Sequence, residues 1–126
     1  MKHKKSETDI LILKSGEGRI YNCGTMTSVF KADENKTSEK YSISQWWLEP
    51  NSSGPSAHQH EDNEEVFYGL EGVTSLLVGE NWIDVEKGTF LKIPAKTIHD
   101  FENRSDNKSG VLKILFLEGS KNTCLQ

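Results

Sequence analysis

The stretch HQHEDNEEVFYGLEG, residues 58–72, decides how the rest of the chain is interpreted. It contains two of the chain's four histidines, one residue apart, and the adjacent glutamates Glu64 and Glu65. In a β-strand, side chains two residues apart point to the same side, so His58 and His60 are predicted to share a face. Paired imidazoles with a carboxylate nearby suit a transition metal. Two surface histidines after a loop are the alternative explanation.

A second stretch, GTFLKIPAKTIHDFEN, residues 88–103, contains His99. On a strand, His99 shares its face with Phe101 and Asn103, and a histidine in line with an aromatic residue is expected to face an interior. The alternative is a core histidine satisfied by a hydrogen bond. His3 lies in the polar N-terminal segment and is not expected to take part.

Short apolar stretches, rich in β-branched and aromatic residues and separated by turn-forming residues, extend along the chain. This pattern predicts an all-β fold with little helix, because apolar residues nowhere recur at helical spacing over three turns. A sandwich or barrel is expected. The predicted strands are 10–13, 27–31, 41–48, 65–70, 74–78, 81–85, 89–93, 99–103 and 111–117, with a hairpin turn at 79–81.

The two stretches resemble the two sequence motifs of the cupin family. The first motif, G-x5-H-x-H-x(3,4)-E-x6-G, is matched from His58 to Gly72. The second, G-x5-P-x-G-x2-H-x3-N, is matched from Gly88 to Asn103, and fifteen residues separate the two. The resemblance implies a single cupin-type jelly-roll β-barrel, which we place at residues 9–120. The polar residues 1–8 are expected to form a mobile arm, and residues 121–126 a tail.

The resemblance also implies one divalent transition metal per chain, bound by His58, His60, a glutamate and His99. The ion would be Fe, Mn, Ni, Zn or Cu. Six residues separate Glu65 from Gly72, as the motif requires, and strand alternation turns Glu64 to the opposite face. We therefore predict that Glu65 is the ligand.

The chain departs from the family pattern at two positions. Ser52 stands where the first motif begins with glycine, although Gly54 is close by. Lys96 replaces the glycine of the second motif. If that position needs a left-handed backbone, a lysine there costs about 1 kcal/mol. A solvated turn lysine is the expected role of Lys96, and a contact with an anionic ligand is the alternative.

Apolar side chains are expected to line a pocket around the metal, which would suit a small, partly apolar organic molecule. Alternation does not decide which of the adjacent Trp46 and Trp47 faces inward. The candidates for the lining are Trp47, Phe67, Phe90, Phe101, Ile114 and Phe116.

Three neutral imidazoles and one carboxylate would leave a divalent ion with open positions, which is typical of catalytic metal sites. This favours a metal-dependent enzyme of the dioxygenase, isomerase or cyclase/lyase type. The alternative is a binding or sensing module that uses the metal to hold its ligand without turnover.

The composition excludes several other classes. The 126-residue chain has a mild net charge of −4 and no basic face that would suit nucleic acid. The apolar run at 10–13 is too short for a signal peptide or a membrane span, so a cytoplasmic protein is expected. Cys23 and Cys124 are expected to be reduced thiols. Exposed strand edges favour a homodimer, with 10–13 adding to a partner's sheet.

Overall fold

Nine antiparallel β-strands form two sheets in the part of the chain that the computed structural model describes, which is residues 10–33, 37, 40–57 and 63–117. The strands are β1 (Arg19–Cys23), β2 (Met26–Ala32), β3 (Tyr41–Leu48), β4 (Glu64–Glu71), β5 (Val73–Val78), β6 (Asn81–Glu86), β7 (Phe90–Ile93), β8 (His99–Glu102) and β9 (Ser109–Phe116).

The larger sheet has six strands in the order β1-β2-β3-β9-β4-β7, and the smaller has three in the order β6-β5-β8. The two sheets enclose one core, to which Leu48, Phe67 and Val111 contribute from the larger sheet, and Leu76 and Phe101 from the smaller. Phe67 and Leu76 are fully buried, at 0% exposure. Burial of side chains of this size contributes about 2 kcal/mol each. The expected all-β jelly-roll fold is confirmed.

The side chains of β4 alternate between the interior and the outer face, and this alternation determines which of them reach the site. Glu65, Phe67 and Gly69 are buried, whereas Glu64 and Tyr68 are exposed. Directly paired residues on neighbouring strands point to the same face of a sheet. The side chains of β9 that pair with Glu65 and Phe67 therefore also face the interior.

Strand β9 is antiparallel to β4, with Leu115 opposite Glu65 and Lys113 opposite Phe67. In the same register, Val111 lies opposite Gly69. Strand β9 thus directs Val111, Lys113 and Leu115 inward, and a lysine enters the barrel interior.

Eight of the predicted strands are confirmed, with ends that differ by at most two residues, and so is the Gly79–Glu80 turn. The prediction of a strand at 10–13 is wrong, because these residues are not in a strand in the structure, and Ile10 and Ile12 are 80% and 75% exposed. Strand β1 was not predicted. All five of its residues are exposed, and it is held by its ladder to β2 rather than by an apolar face.

Two motif positions have left-handed backbone. Gly72 has a φ of 63°, and a Cβ there would lie 2.5 Å from the carbonyl oxygen of Lys108, so only glycine fits. Lys96 has a φ of 66°, which is the strained conformation that the missing motif glycine predicts. The Lys96 side chain is exposed, as expected of a solvated turn lysine.

Among the described residues, no helix has the length and apolar character that a membrane crossing requires.

Candidate metal centre

Glu65 and His99 meet between the two sheets. Glu65 is the second residue of β4 in the larger sheet, and His99 is the first residue of β8 in the smaller. The Oε1 atom of Glu65 lies 3.0 Å from Nε2 of His99, and the two side chains are only 1% and 4% exposed. Both residues occupy positions that the motifs assign to metal ligands.

The ring of His99 is oriented by the backbone. Its Nδ1 lies 2.8 Å from the carbonyl oxygen of Thr97. Because a carbonyl oxygen only accepts, Nδ1 carries the hydrogen and Nε2 is directed at Glu65. A metal-binding histidine is commonly fixed in this way, with one ring nitrogen donating to a carbonyl and the other free of hydrogen toward the ion.

The charge of Glu65 affects the proton on His99. Burial by itself lowers the pKa of His99, because it disfavours the charged imidazolium. The hydrogen bond with Glu65, the hydrogen bond with Thr97 and the negative charge of Glu65 outweigh burial and the opposing charge of Lys113, so the pKa of His99 is raised above 6.5. In the metal-free protein, the surroundings of His99 therefore favour a proton on Nε2, the atom that would contact a metal.

The Lys113 side chain completes the described part of the site. Its Nζ lies 3.5 Å from Oε2 of Glu65, and the side chain is 17% exposed. The same Nζ lies 5.2 Å from the centroid of the Trp46 ring, within range of a cation–π interaction. Sequence reasoning missed Lys113. The signal was its position between apolar neighbours in VLKIL, residues 111–115, where an exposed strand would not place a lone lysine.

Glu64 lies on the outside. Its side chain is 48% exposed and its Oε2 lies 3.7 Å from Nζ of Lys92. The structure thus buries Glu65 and exposes Glu64, as strand alternation predicts. Metal binding by Glu65 stays a prediction.

The donors that the structure describes fit a divalent transition metal. A carboxylate oxygen and an imidazole nitrogen are ligands that such ions take at about 2 Å, so one ion can contact two atoms that are 3.0 Å apart. His58 and His60, the other two predicted ligands, lie outside the described residues. No group of three or more metal-binding side chains occurs within the described ranges.

Phe67 and Phe101, two of the predicted lining residues, are buried beside the site at 0% and 2% exposure. Their ring centroids are 5.8 Å apart. Trp46 packs edge-on against Phe101, with the centroids 5.7 Å apart. Of the two adjacent tryptophans, the inward one is therefore Trp46.

The four other lining candidates are placed on the outer face of the larger sheet, which corrects the expectation. Ile114 pairs with Val66, and Phe90 pairs with Tyr68, on the side away from Glu65. Phe90 is 63% exposed and Phe116 is 41% exposed. The inward neighbours that replace them are Leu91, Ile93, Lys113 and Leu115.

Trp47, the fourth of these candidates, packs over Gly110, its partner on β9. A Cβ at Gly110 would lie 2.1 Å from the Trp47 ring, so the ring occupies the space that this glycine leaves. Trp46 and Trp47 are consecutive in β3, and their side chains point in opposite directions. Trp47 is therefore removed from the candidate lining.

Asn103, the last residue of the second motif, is 1% exposed and connects three segments. Its Nδ2 donates to the carbonyl oxygens of Leu48, Glu49 and Asn107 at 3.2, 3.2 and 2.7 Å. Its Oδ1 accepts from the backbone N–H and the hydroxyl of Ser105. Asn103 therefore stabilises the loop after β8 and has no described contact with Glu65 or His99.

Comparisons with known proteins agree with this geometry. The family model described as "Cupin domain" matches residues 45–115. Quercetin 2,3-dioxygenase of Bacillus subtilis (strain 168) is 30% identical over 96 residues, which cover 71% of this chain and 26% of the relative. The chain thus spans about a quarter of that relative's length.

Two solved structures share the fold. A predicted oxalate decarboxylase of Thermotoga maritima superposes with a TM-score of 0.79 at 16% identity, covering 86% of this chain and all of that chain. KdgF of Halomonas sp. superposes with a TM-score of 0.74 at 14% identity, covering 90% and 97%. The matched family model spans more than half of the chain, including Glu65, His99 and Asn103. This chain belongs to the cupin family.

Proposed function

We propose that this cupin is a metal-dependent enzyme that acts on a small organic molecule inside the barrel. The observation that carries the proposal is the buried pair of Glu65 and His99, whose donor atoms converge to 3.0 Å at the two motif positions. A buried carboxylate and imidazole that served only the fold would have no need to lie at the ligand positions of both motifs.

His58, His60, Glu65 and His99 would hold one ion per chain. When bound, the ion would supply Lewis acidity for a carbonyl or enolate oxygen, and a redox-active ion would also supply electrons for oxygen chemistry. The chain's own residues orient the metal ligands and limit the access of water to the site. The Thr97 carbonyl fixes the His99 ring, and Phe67 and Phe101 exclude water from the inner side of the site.

Three reaction classes are proposed: dioxygenase, isomerase and cyclase/lyase. The similarity to quercetin 2,3-dioxygenase supports the first, although it covers only 26% of that relative. The likeness to the predicted oxalate decarboxylase and to KdgF, at 16% and 14% identity, supports the fold without choosing among the classes. We propose a cytoplasmic location, in keeping with the reduced thiols that the two cysteines are expected to be.

The alternative is a binding or sensing module in which the metal holds a ligand that is not converted. Cupins serve both purposes, so the fold does not choose between them. Conversion of a bound compound distinguishes the enzyme from the binding module.

The metal content of protein purified without added metal is the first measurement, with one equivalent per chain expected. The metal-free protein is then reconstituted in parallel with Fe(II), Mn(II), Ni(II) and Zn(II). Each form is offered small enediols, flavonoid-like phenols and 1,3-diketones while oxygen uptake and product formation are recorded.

Oxygen uptake with iron but not with zinc supports the dioxygenase. Product formation without oxygen uptake supports the isomerase or cyclase/lyase. Binding of compounds by every metal form, with none converted, contradicts the enzyme and supports the binding module. A protein that takes up no metal contradicts both.

A further inference from the structure

We infer that Lys113 recognises an anion, and that the metal-loaded site takes a small organic anion with one oxygen on the ion and another on Nζ of Lys113. This inference rests on the proposed metal site and adds the substrate class to it. It starts from a lysine that enters the barrel interior from β9, with its ammonium group 3.5 Å from Glu65 Oε2.

The charges of Glu65 and Lys113 offset each other while the metal is absent. Glu65 contributes one negative charge and Lys113 one positive charge, on side chains that are 1% and 17% exposed. A divalent ion held by Glu65 and neutral imidazoles raises the total to two net positive charges. Net charge in a partly buried site is costly unless a counter-charge accompanies it. The loaded site therefore favours an anionic ligand over a neutral one.

The geometry leaves the ammonium group beside the metal position rather than in it. Glu65 presents Oε1 to His99 and Oε2 to Lys113, so the lysine contacts the oxygen that faces away from the histidine. An ammonium group has three N–H donors, and its ion pair with Glu65 Oε2 at 3.5 Å occupies at most one of them. The Trp46 ring, 5.2 Å from Nζ, supports the cation on one side. Within the described residues Nζ has no other hydrogen-bond or ion-pair partner, which leaves its remaining donors for a ligand oxygen.

The arrangement of these groups favours one class of ligand. An anion whose two oxygens are on adjacent carbons can contact the ion with one oxygen and the ammonium group with the other. α-Hydroxy acids, α-keto acids and enediolates have this arrangement. The aromatic rings of Phe67, Phe101 and Trp46 suit a short organic skeleton better than a highly charged one such as a sugar phosphate.

Lys113 also has a structural explanation, in which it only neutralises Glu65. That role predicts lower stability when the lysine is replaced, but no change in preference between charged and neutral ligands. The outer face of the barrel offers a matched control. Lys92 and Glu64 form the same kind of pair at 3.7 Å, on side chains that are 54% and 48% exposed.

The test measures ligand binding by calorimetry with zinc-loaded and metal-free protein. Glycolate and glycolamide are the probes, because they have nearly the same shape and differ in charge. The proteins are the wild type, Lys113→Met, Lys113→Arg and Lys92→Met, each with its zinc content measured. A charge-assisted hydrogen bond is worth about 10- to 100-fold in affinity.

The expected result is that wild type and Lys92→Met, when zinc-loaded, prefer glycolate by at least about tenfold. Lys113→Met should retain one zinc per chain and lose most of this preference, whereas Lys113→Arg should keep part of it. Metal-free wild type should show a weaker preference, because the charge of Glu65 then offsets that of Lys113.

A zinc-loaded Lys113→Met protein with the wild-type preference would overturn the inference and leave the proposed metal site standing. A zinc-loaded wild type that shows no preference for glycolate over glycolamide would also overturn the inference. A wild type that binds no zinc overturns the proposed function, and with it this inference.

A second measurement keeps the inference testable if Lys113→Met does not fold. The Nζ resonance of Lys113 is observed in zinc-loaded, nitrogen-15-lysine-labelled wild type and assigned by its absence in Lys113→Arg. Glycolate should shift this resonance and glycolamide should not. An unchanged resonance at saturating glycolate would overturn the inference.

Discussion

Glu65 is buried and contacts His99, whereas Glu64, its neighbour in sequence, lies on the outer face of β4 and pairs with Lys92. The two carboxylates have the same chemistry and opposite environments, because successive side chains of a strand point to opposite faces. This pair provides an internal control for the metal site.

We predict that Glu65→Gln reduces the metal content well below one equivalent per chain, and that Glu64→Gln leaves it unchanged. In Glu65→Gln the Lys113 ammonium group also loses its partner in the interior, so the unfolding free energy of the metal-free protein should fall by about 3 kcal/mol. The exposed Glu64–Lys92 pair should be worth less than about 1 kcal/mol. Elemental analysis and urea denaturation measure both effects. Loss of metal from Glu64→Gln, with normal metal content in Glu65→Gln, would show that Glu64 is the ligand.

The raised pKa of His99 predicts how the stability of the metal-free protein depends on pH. A group whose pKa is higher in the folded than in the unfolded protein stabilises the fold fully below its unfolded pKa, near 6.5 for histidine. This contribution is lost as the pH rises through the folded-state pKa. Urea denaturation of EDTA-treated protein from about pH 6 to pH 9 should therefore show wild type losing stability relative to His99→Gln. Parallel curves for the two proteins would contradict the prediction.

The same proton predicts that metal binding strengthens with rising pH. An ion that contacts Nε2 of His99 must displace the proton held there. Calorimetric titration of metal-free protein with zinc in two buffers of different ionisation enthalpy reports proton release directly. We expect wild type to release more protons on binding near neutral pH than His99→Gln does. Equal release by the two proteins would show that His99 is not a ligand.

The sequence predicted the orientation of Glu65 and His99 because both lie in strands whose period of two is strict. It could not predict the lining residues from β9 and β3. Both faces of these strands carry apolar side chains, as Trp47 of β3 and Ile114 of β9 show on the outside, so hydrophobicity did not distinguish inside from outside. The pairing of β4 with β9, which identifies the inner face, depends on contacts distant in sequence.

Lys113 illustrates the same limit. Its role depends on Phe67 and Glu65 lying on the neighbouring strand, and nothing near Lys113 in the sequence encodes that pairing.

The predicted strand at 10–13 is wrong for the opposite reason. Its residues have suitable propensity but are not in a strand in the structure, whereas β1 is exposed along its length and forms because a tight turn at Gly24 pairs it with β2.

The edge strand β1 leads us to predict a homodimer. Strand β1 is at the end of the six-stranded sheet, and its Ile20 is 54% exposed. An edge strand with an exposed apolar side chain invites pairing with a second copy. Light scattering at tens of micromolar should give a dimer mass for wild type and a monomer mass for Ile20→Lys. Ile98→Lys, which changes an exposed isoleucine in a loop, is the control and should remain dimeric. A monomer mass for wild type would refute the prediction.

Asn103 is predicted to be needed for stability rather than for ligand binding. Asn103→Ala leaves the carbonyl oxygens of Leu48 and Asn107 without this donor at a position that is 1% exposed, which should lower the unfolding free energy by about 2–3 kcal/mol. Asn81→Ala, at an exposed position in β6, should change it by less than about 0.5 kcal/mol. Urea denaturation measures both changes. The metal content of folded Asn103→Ala should stay at one per chain, because Asn103 contacts neither Glu65 nor His99 in the part of the chain described. Loss of metal without loss of stability would instead place Asn103 in the metal site.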